Sequence, residues 1–195
     1  MPVVDGGRLR LQPMSLVIGG RRLELIEGDI TAQRVDAIAN AANAALAGGG
    51  GVDGAIHDAA GDELLTELRA RHPHGTPTGT AVATGAGRLP ARWVLHAVGP
   101  RWRDGEHGEP ELLASAYAAC LDLCDQLGAR TVAFPAISLG IYGYPHGPGA
   151  RVALTTVLEH LAGETPIQRV IFVLRPDTFP VFGKVLAELA GRDGG

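Results

Sequence analysis

Apolar positions along the chain fall into short continuous runs that alternate with longer stretches of helical period. Leu16–Ile18 and Arg21–Ile26 flank Gly19-Gly20, the pattern of two strands joined by a tight turn. Asp29–Gln33 reads as a turn into a short helical step, and Val35–Asn40 as a strand. After it comes a stretch of small residues, AANAALAGGGGVDG. From Val52 to about Ala70 the apolar residues Ile56, Leu64, Leu65 and Leu68 recur at helical spacing, and the run stops before His72-Pro73. Thr80–Thr84 and Trp93–Val98 predict strands. Glu111–Leu127 predicts a helix closed by Gly128. Thr131–Ala136 predicts a buried strand, Gly149–Leu161 a helix, Arg169–Leu174 a strand and Asp177–Leu189 a last helix. Helix and strand alternate in the second half, which favours parallel strands with helices on both faces. The opening hairpin makes the sheet mixed. The expected fold is therefore α/β in three layers, helix on sheet on helix, with a ligand at the carboxyl ends of the strands.

Length and composition agree with this picture. The 195 residues, 46% apolar and 19% charged, suit one globular domain with a full core. We assign it to residues 14–191, with residues 1–13 as an irregular N-terminal extension. No run approaches the roughly 20 apolar residues of a membrane span, and no signal peptide is evident, so a cytoplasmic location is expected; with no coiled-coil pattern and no second core, a monomer is expected. The net charge of −4 and the lack of a basic cluster argue against nucleic acid as a partner. Cys120 and Cys124, four apart on one helix face, read as reduced core residues. With His72-Pro73-His74 they do not form a zinc set, and no metal or cofactor is expected.

Two glycine-bearing loops follow apolar strands. Gly48-Gly49-Gly50-Gly51-Val52-Asp53-Gly54 runs into a helix, where bare backbone and orphan N–H donors suit an anion. Ser138-Leu139-Gly140-Ile141-Tyr142-Gly143 offers a second concave run of donors. Facing each other, they would hold a diphosphate without lysine, which occurs only at Lys184. Gly49, Gly51 and Gly54 also fit G-x-G-x-x-G. In a Rossmann domain, however, that motif follows its strand at once, with an acid about 20 residues on. Here the motif starts well after Asn40, and Arg71–His74 supplies no acid. A nicotinamide oxidoreductase does not fit. Asp29, Asn40, Asn43, Asp53 and His57 cluster around these loops, Asp53 and His57 sharing one helix face.

GDIT (Gly28–Thr31), NAAN (Asn40–Asn43), GGGGVDGAIHDAAG (Gly48–Gly61), HAVGP (His96–Pro100) and FPAISLGIYGYP (Phe134–Pro145) together resemble the macrodomain family. The match is to its MacroD-type, or O-acetyl-ADP-ribose deacetylase, branch, and spans about residues 15–190. The resemblance implies ADP-ribose or O-acetyl-ADP-ribose as ligand, and mono-ADP-ribosylated proteins as possible partners. Asp29 would accept the adenine amino group, with Ile30 giving a backbone contact. Gly49, Gly50, Gly51 and Val52, with Ser138, Leu139, Gly140, Ile141 and Tyr142, would bind the diphosphate and the distal ribose. Asn40 would also contact that ribose. Asn43, Asp53 and His57 would carry the chemistry, water attack on an ester of the distal ribose without a metal. A non-catalytic ADP-ribose reader is the alternative. Leu139 stands where the family often has threonine, which puts a hydroxyl contact in doubt but leaves the backbone donors.

Overall fold

The structure, a computed structural model, describes residues 14–191 and, before them, the backbone of residues 3–5 and 8–10. Within the extension expected to be irregular, β1 (Val3–Asp5) and β2 (Arg8–Arg10) pair antiparallel. The intervening Gly6-Gly7 is a hairpin signal at the sequence level. The remaining elements are β3 (Met14–Ile18), β4 (Arg21–Glu27), a 3-10 turn (Ile30–Ala32), β5 (Ala37–Ala41), α1 (Val52–Ala60), α2 (Asp62–Arg71), β6 (Ala81–Gly85), β7 (Trp93–Ala97), α3 (Glu109–Leu127), β8 (Thr131–Phe134), α4 (His146–Ala162), β9 (Arg169–Leu174) and α5 (Phe179–Ala190).

Seven strands form one sheet in the order β3-β4-β9-β8-β5-β7-β6. The five inner strands are parallel, and β3 and β6 close the edges antiparallel. The mixed sheet is thus as expected, with a second antiparallel edge at β6. Strand β5 is covered on both faces, so its first four residues are all buried, the signature of an interior parallel strand. Ala37 and Ala39 join the larger core with Leu121, Phe134, Val157 and Phe172. Ile38 joins the other, with Ile56, Leu64, Val94 and Ile171. Helices α3, α4 and α5 pack side by side over the first; α1 lies against β5 on the second.

One expected helix is two. Gly61 has φ 93° and ψ 178°, which ends α1 and starts α2 in a conformation open to glycine. The apolar period continues across the break, because both segments present that face to the sheet. Cys120 and Cys124 are free and buried on α3. Burial pushes the Cys120 thiol well up and the Cys124 thiol to about 12, so both stay protonated core residues. Among the described residues no helix is long and apolar enough to cross a membrane.

Candidate active site

The parallel strands all end on one edge of the sheet, and the loops leaving them enclose a cleft of about 550 Å³. Strand order makes this edge a ruler. From β4 to β7 is four inter-strand steps, about 19 Å at the usual strand spacing. The β9 end contributes Val173, Leu174, Arg175, Asp177 and Thr178. The loop after β8 lies in the middle. The loops after β5 and β7 form the other end with Asn43, Asp53, Gly99 and Arg101.

The loop after β5 is closed by one side chain. Asn43 Nδ2 donates to the Gly48 carbonyl at 2.8 Å, and Asn43 Oδ1 accepts from the Ala47 N–H at 3.3 Å. Gly48 and Gly51 have φ of 77° and 65°. Gly49 is where the polar groups converge: a Cβ there would lie 3.0 Å from Asp53 Oδ2 and 3.6 Å from Asn43 Nδ2. A side chain would fill the space the loop leaves bare.

The loop after β8 is pinned from beneath. The buried Tyr117 hydroxyl, on α3, accepts from the Ile137 N–H at 2.9 Å and reaches the Pro135 carbonyl at 3.2 Å. Ser138 has φ 68°, a conformation a non-glycine residue holds only when its surroundings fix it. The Leu139 side chain packs into the core beside Gly149 and Tyr144, and its N–H is spent on the Ala136 carbonyl at 3.2 Å. Packing therefore governs this side chain. Among the described residues, the N–H groups of 49–53, 138 and 140–142 have no intramolecular acceptor. Ile141 bridges the two loops, its Cδ1 3.7 Å from the Cβ position at both Gly50 and Gly51. The Arg101 guanidinium lies over the Tyr142 ring at 4.3 Å.

Behind the cleft wall runs a buried chain of polar groups. Asn40 Nδ2 donates to Asp53 Oδ1 at 2.6 Å and lies 3.2 Å from His96 Nδ1. His96 Nε2 lies 2.9 Å from Thr84 Oγ1, which donates to the Gly85 carbonyl. The amide assignment follows from the network: a carbonyl oxygen of Asn40 facing Asp53 would repel it. His96 Nδ1 then accepts, and its Nε2 carries the proton. His57 Nε2 stands 3.4 Å from Asp53 Oδ1 on the same helix face. Burial, and next the proximity of His57, pull the His96 imidazole down to about 3, so it remains neutral.

This shift has a sign in stability. The unfolded chain takes up the His96 proton below its ordinary 6.5, while the folded chain does not. Folding stability from this group is complete above pH 6.5 and is lost as pH falls toward 3. Between pH 7 and 4.5 wild type should lose about 2 kcal/mol more than His96→Gln, read by urea unfolding. Equal losses would show that another group governs this window.

Of the predicted residues, Asn43, Gly49, Gly50, Gly51, Val52, Asp53, Ser138, Leu139, Gly140, Ile141 and Tyr142 all line the cleft. Asn40 and His57 do not: both stand behind Asp53, and Asn40 is fully buried. Asp29 and Ile30 lie at the β4 end, off the cleft wall. Asp29 Oδ1 accepts from the Thr31 N–H and hydroxyl at 2.8 and 2.7 Å, and Ile30 is buried in the second core. Sequence reasoning gave no role to Gly99, Tyr117, His96, Thr84 or the β9 end, and read Arg101, in the polar stretch to His107, as part of a surface loop able to shape substrate access. His96 did leave a trace, as a polar residue inside the apolar run of β7.

Asp104, His107 and Glu109 form the one cluster of potential metal ligands among the described residues. Glu109 is already occupied, its two oxygens accepting from the N–H groups of Arg103, Asp104, Gly105 and His107. Burial alone would raise this carboxyl, but its own backbone N–H and those of His107, Arg103 and Gly105 outweigh it and hold it at about 2. The cluster knits a loop.

A family model described as Macro domain matches residues 39–153. A Macro domain-containing protein of Caldanaerobacter subterraneus is 50% identical over 86% of this chain and 97% of its own length. An O-acetyl-ADP-ribose deacetylase of Citrobacter rodentium is 51% identical over 78% of this chain and 87% of its own. Among solved structures, the Oceanobacillus iheyensis macrodomain with ADP superposes with a TM-score of 0.88 at 38% identity, covering 92% of this chain and 97% of that one. A Trypanosoma brucei macrodomain in complex with ADP-ribose gives 0.78 at 37% identity, covering 84% and 68%.

Proposed function

We infer that this chain, which belongs to the macrodomain family, binds ADP-ribose in the cleft and hydrolyses esters on its distal ribose. O-acetyl-ADP-ribose and mono-ADP-ribosylated protein carboxylates are the substrate class. The carrying observation is the convergence of Asn43 and Asp53 on the bare Gly49, at one end of a cradle of unpaired N–H groups. Solved relatives hold ADP and ADP-ribose, and several relatives are named for the deacetylation.

In this reading adenine lies at the β4–β9 end, near Asp29, and the diphosphate crosses between the two loops beneath Ile141. Backbone N–H groups stabilise that charge without a counter-ion. The distal ribose then sits between Tyr142 and the Asn43–Asp53 pair. Water attacks the acyl carbon, and the bond between that carbon and the ribose oxygen breaks. One proton of the water ends on the ribose oxygen; the products are ADP-ribose and the carboxylic acid. Asp53 orients the water and takes its proton transiently, while Asn43 fixes the ribose. Asn40 and His57 act on Asp53 and not on substrate, so they are positioning residues.

The test is release of free ADP-ribose from O-acetyl-ADP-ribose and from a protein esterified on glutamate, with chelator present. Turnover of at least one ester is expected. Micromolar binding of ADP-ribose with neither ester turned over would make the chain a reader.

A further inference from the structure

A second cavity, about 500 Å³, adjoins the first, sharing Gly99, Arg101 and Tyr142 with it. It opens at the end where the distal ribose is placed, because Ala44, next to Asn43, forms part of its wall. We propose that this cavity is the subsite for the polypeptide side of an ADP-ribosyl ester, and that Arg101 and Arg103 select peptides with acidic residues flanking the modified carboxylate. The proposal rests on the ester-hydrolase reading of the neighbouring cleft and names which substrates it favours.

Size is the first argument. The cavity nearly equals the main cleft in volume, whereas an acetyl group has three heavy atoms. Free O-acetyl-ADP-ribose would leave it almost empty; an esterified glutamate with its neighbours would not.

Charge is the second. Among the described residues neither Arg101 nor Arg103 has a carboxylate within ion-pair distance. Arg101 instead covers the Tyr142 face, which leaves its edge donors available. The other ionisable groups of this cavity already have hydrogen-bond partners. Glu109 is satisfied by four backbone N–H groups, and His107 meets Asp104 at 2.9 Å. Two unpaired guanidinium groups beside an apolar floor of Val98 and Leu112 ask for carboxylates, which they bind as forks. In a chain of net charge −4, two such groups suit a short acidic peptide better than a long nucleic acid, whose affinity needs many cations.

Arg103 is the residue to test, since it lines this cavity and not the main cleft. Its backbone N–H, which serves Glu109, survives substitution. Dissociation constants would be measured for free ADP-ribose and for two ADP-ribosylated glutamyl peptides, one flanked by Asp/Glu and one by Ser/Gly. The full chain carrying Asp53→Ala keeps the esters intact. The acidic peptide should bind about ten-fold tighter than the neutral one. Arg103→Glu should abolish that preference and change the affinity for free ADP-ribose by less than about two-fold. Equal affinity for the two peptides, or an equal loss for all three ligands in Arg103→Glu, overturns the subsite. An ADP-ribosylated oligonucleotide that binds tighter than the acidic peptide, and loses this with Arg103→Glu, also overturns it. The hydrolase reading fails separately, if the wild-type chain turns over neither peptide while the affinity pattern holds.

Discussion

Asp53→Ala is expected to cut turnover of O-acetyl-ADP-ribose by at least about 100-fold, the low end of what a positioned acid–base group contributes. The dissociation constant for ADP-ribose should stay within about five-fold of wild type, because the cradle is made of backbone N–H groups, which the substitution keeps. The substitution is not silent in the fold. Asn40 Nδ2 loses its 2.6 Å partner in a fully buried place, which costs about 1–3 kcal/mol. Thermal unfolding would therefore be recorded beside kinetics and calorimetric binding. A folded variant with full turnover removes Asp53 from the mechanism. Turnover and affinity falling by the same large factor would mean that Asp53 shapes the pocket and does no chemistry.

Gly54→Ala carries the second large effect, and here two rules oppose each other. Gly54 lies in the first turn of α1, where alanine is favoured by about 1 kcal/mol on helix propensity. A Cβ at this position would lie 2.7 Å from the Gly49 carbonyl oxygen, closer than such atoms approach. The obstacle is backbone, which cannot swing aside as a side chain does. Overpacking of this kind costs about 1–3 kcal/mol, so the clash wins. Gly49 must move, and with it the donors of the first loop and the space facing Asp53 and Asn43. A loss of about ten-fold or more in ADP-ribose affinity follows, since a 1.4 kcal/mol penalty is already ten-fold. A variant with raised thermal stability and wild-type affinity would show that propensity prevailed and that the loop has room to adjust.

Much of this was legible in the chain because it depends on period and on glycine. The alternation of apolar runs led to the mixed three-layer sheet, and the two glycine loops led to the cleft. What escaped depends on contacts between distant residues. The break at Gly61 is invisible to periodicity, since α1 and α2 keep one apolar face toward the same core. Asn40 reads as a ligand contact from its place at a strand end, yet the pleat turns it inward, where His96 and Asp53 meet it. The hydroxyl of Tyr117 reads as one more apolar residue of a helix face, although it anchors the loop after β8. Leu139 reads as a changed binding residue, whereas its side chain belongs to the core. The Arg101–Arg103 loop looks like ordinary polar surface until folding sets it beside Tyr142.

The strand order across the site has a consequence for selectivity by length. Its two ends hang on different strands of one sheet, so their separation is set chiefly by the spacing of those strands. A nucleotide with one phosphate fewer, or one more, would reach the far end out of step by a good part of the spacing between neighbouring strands. It would have to surrender either its base contacts or its sugar contacts. With adenine and distal ribose at these two ends, as proposed, ligands of other lengths are expected to bind more weakly.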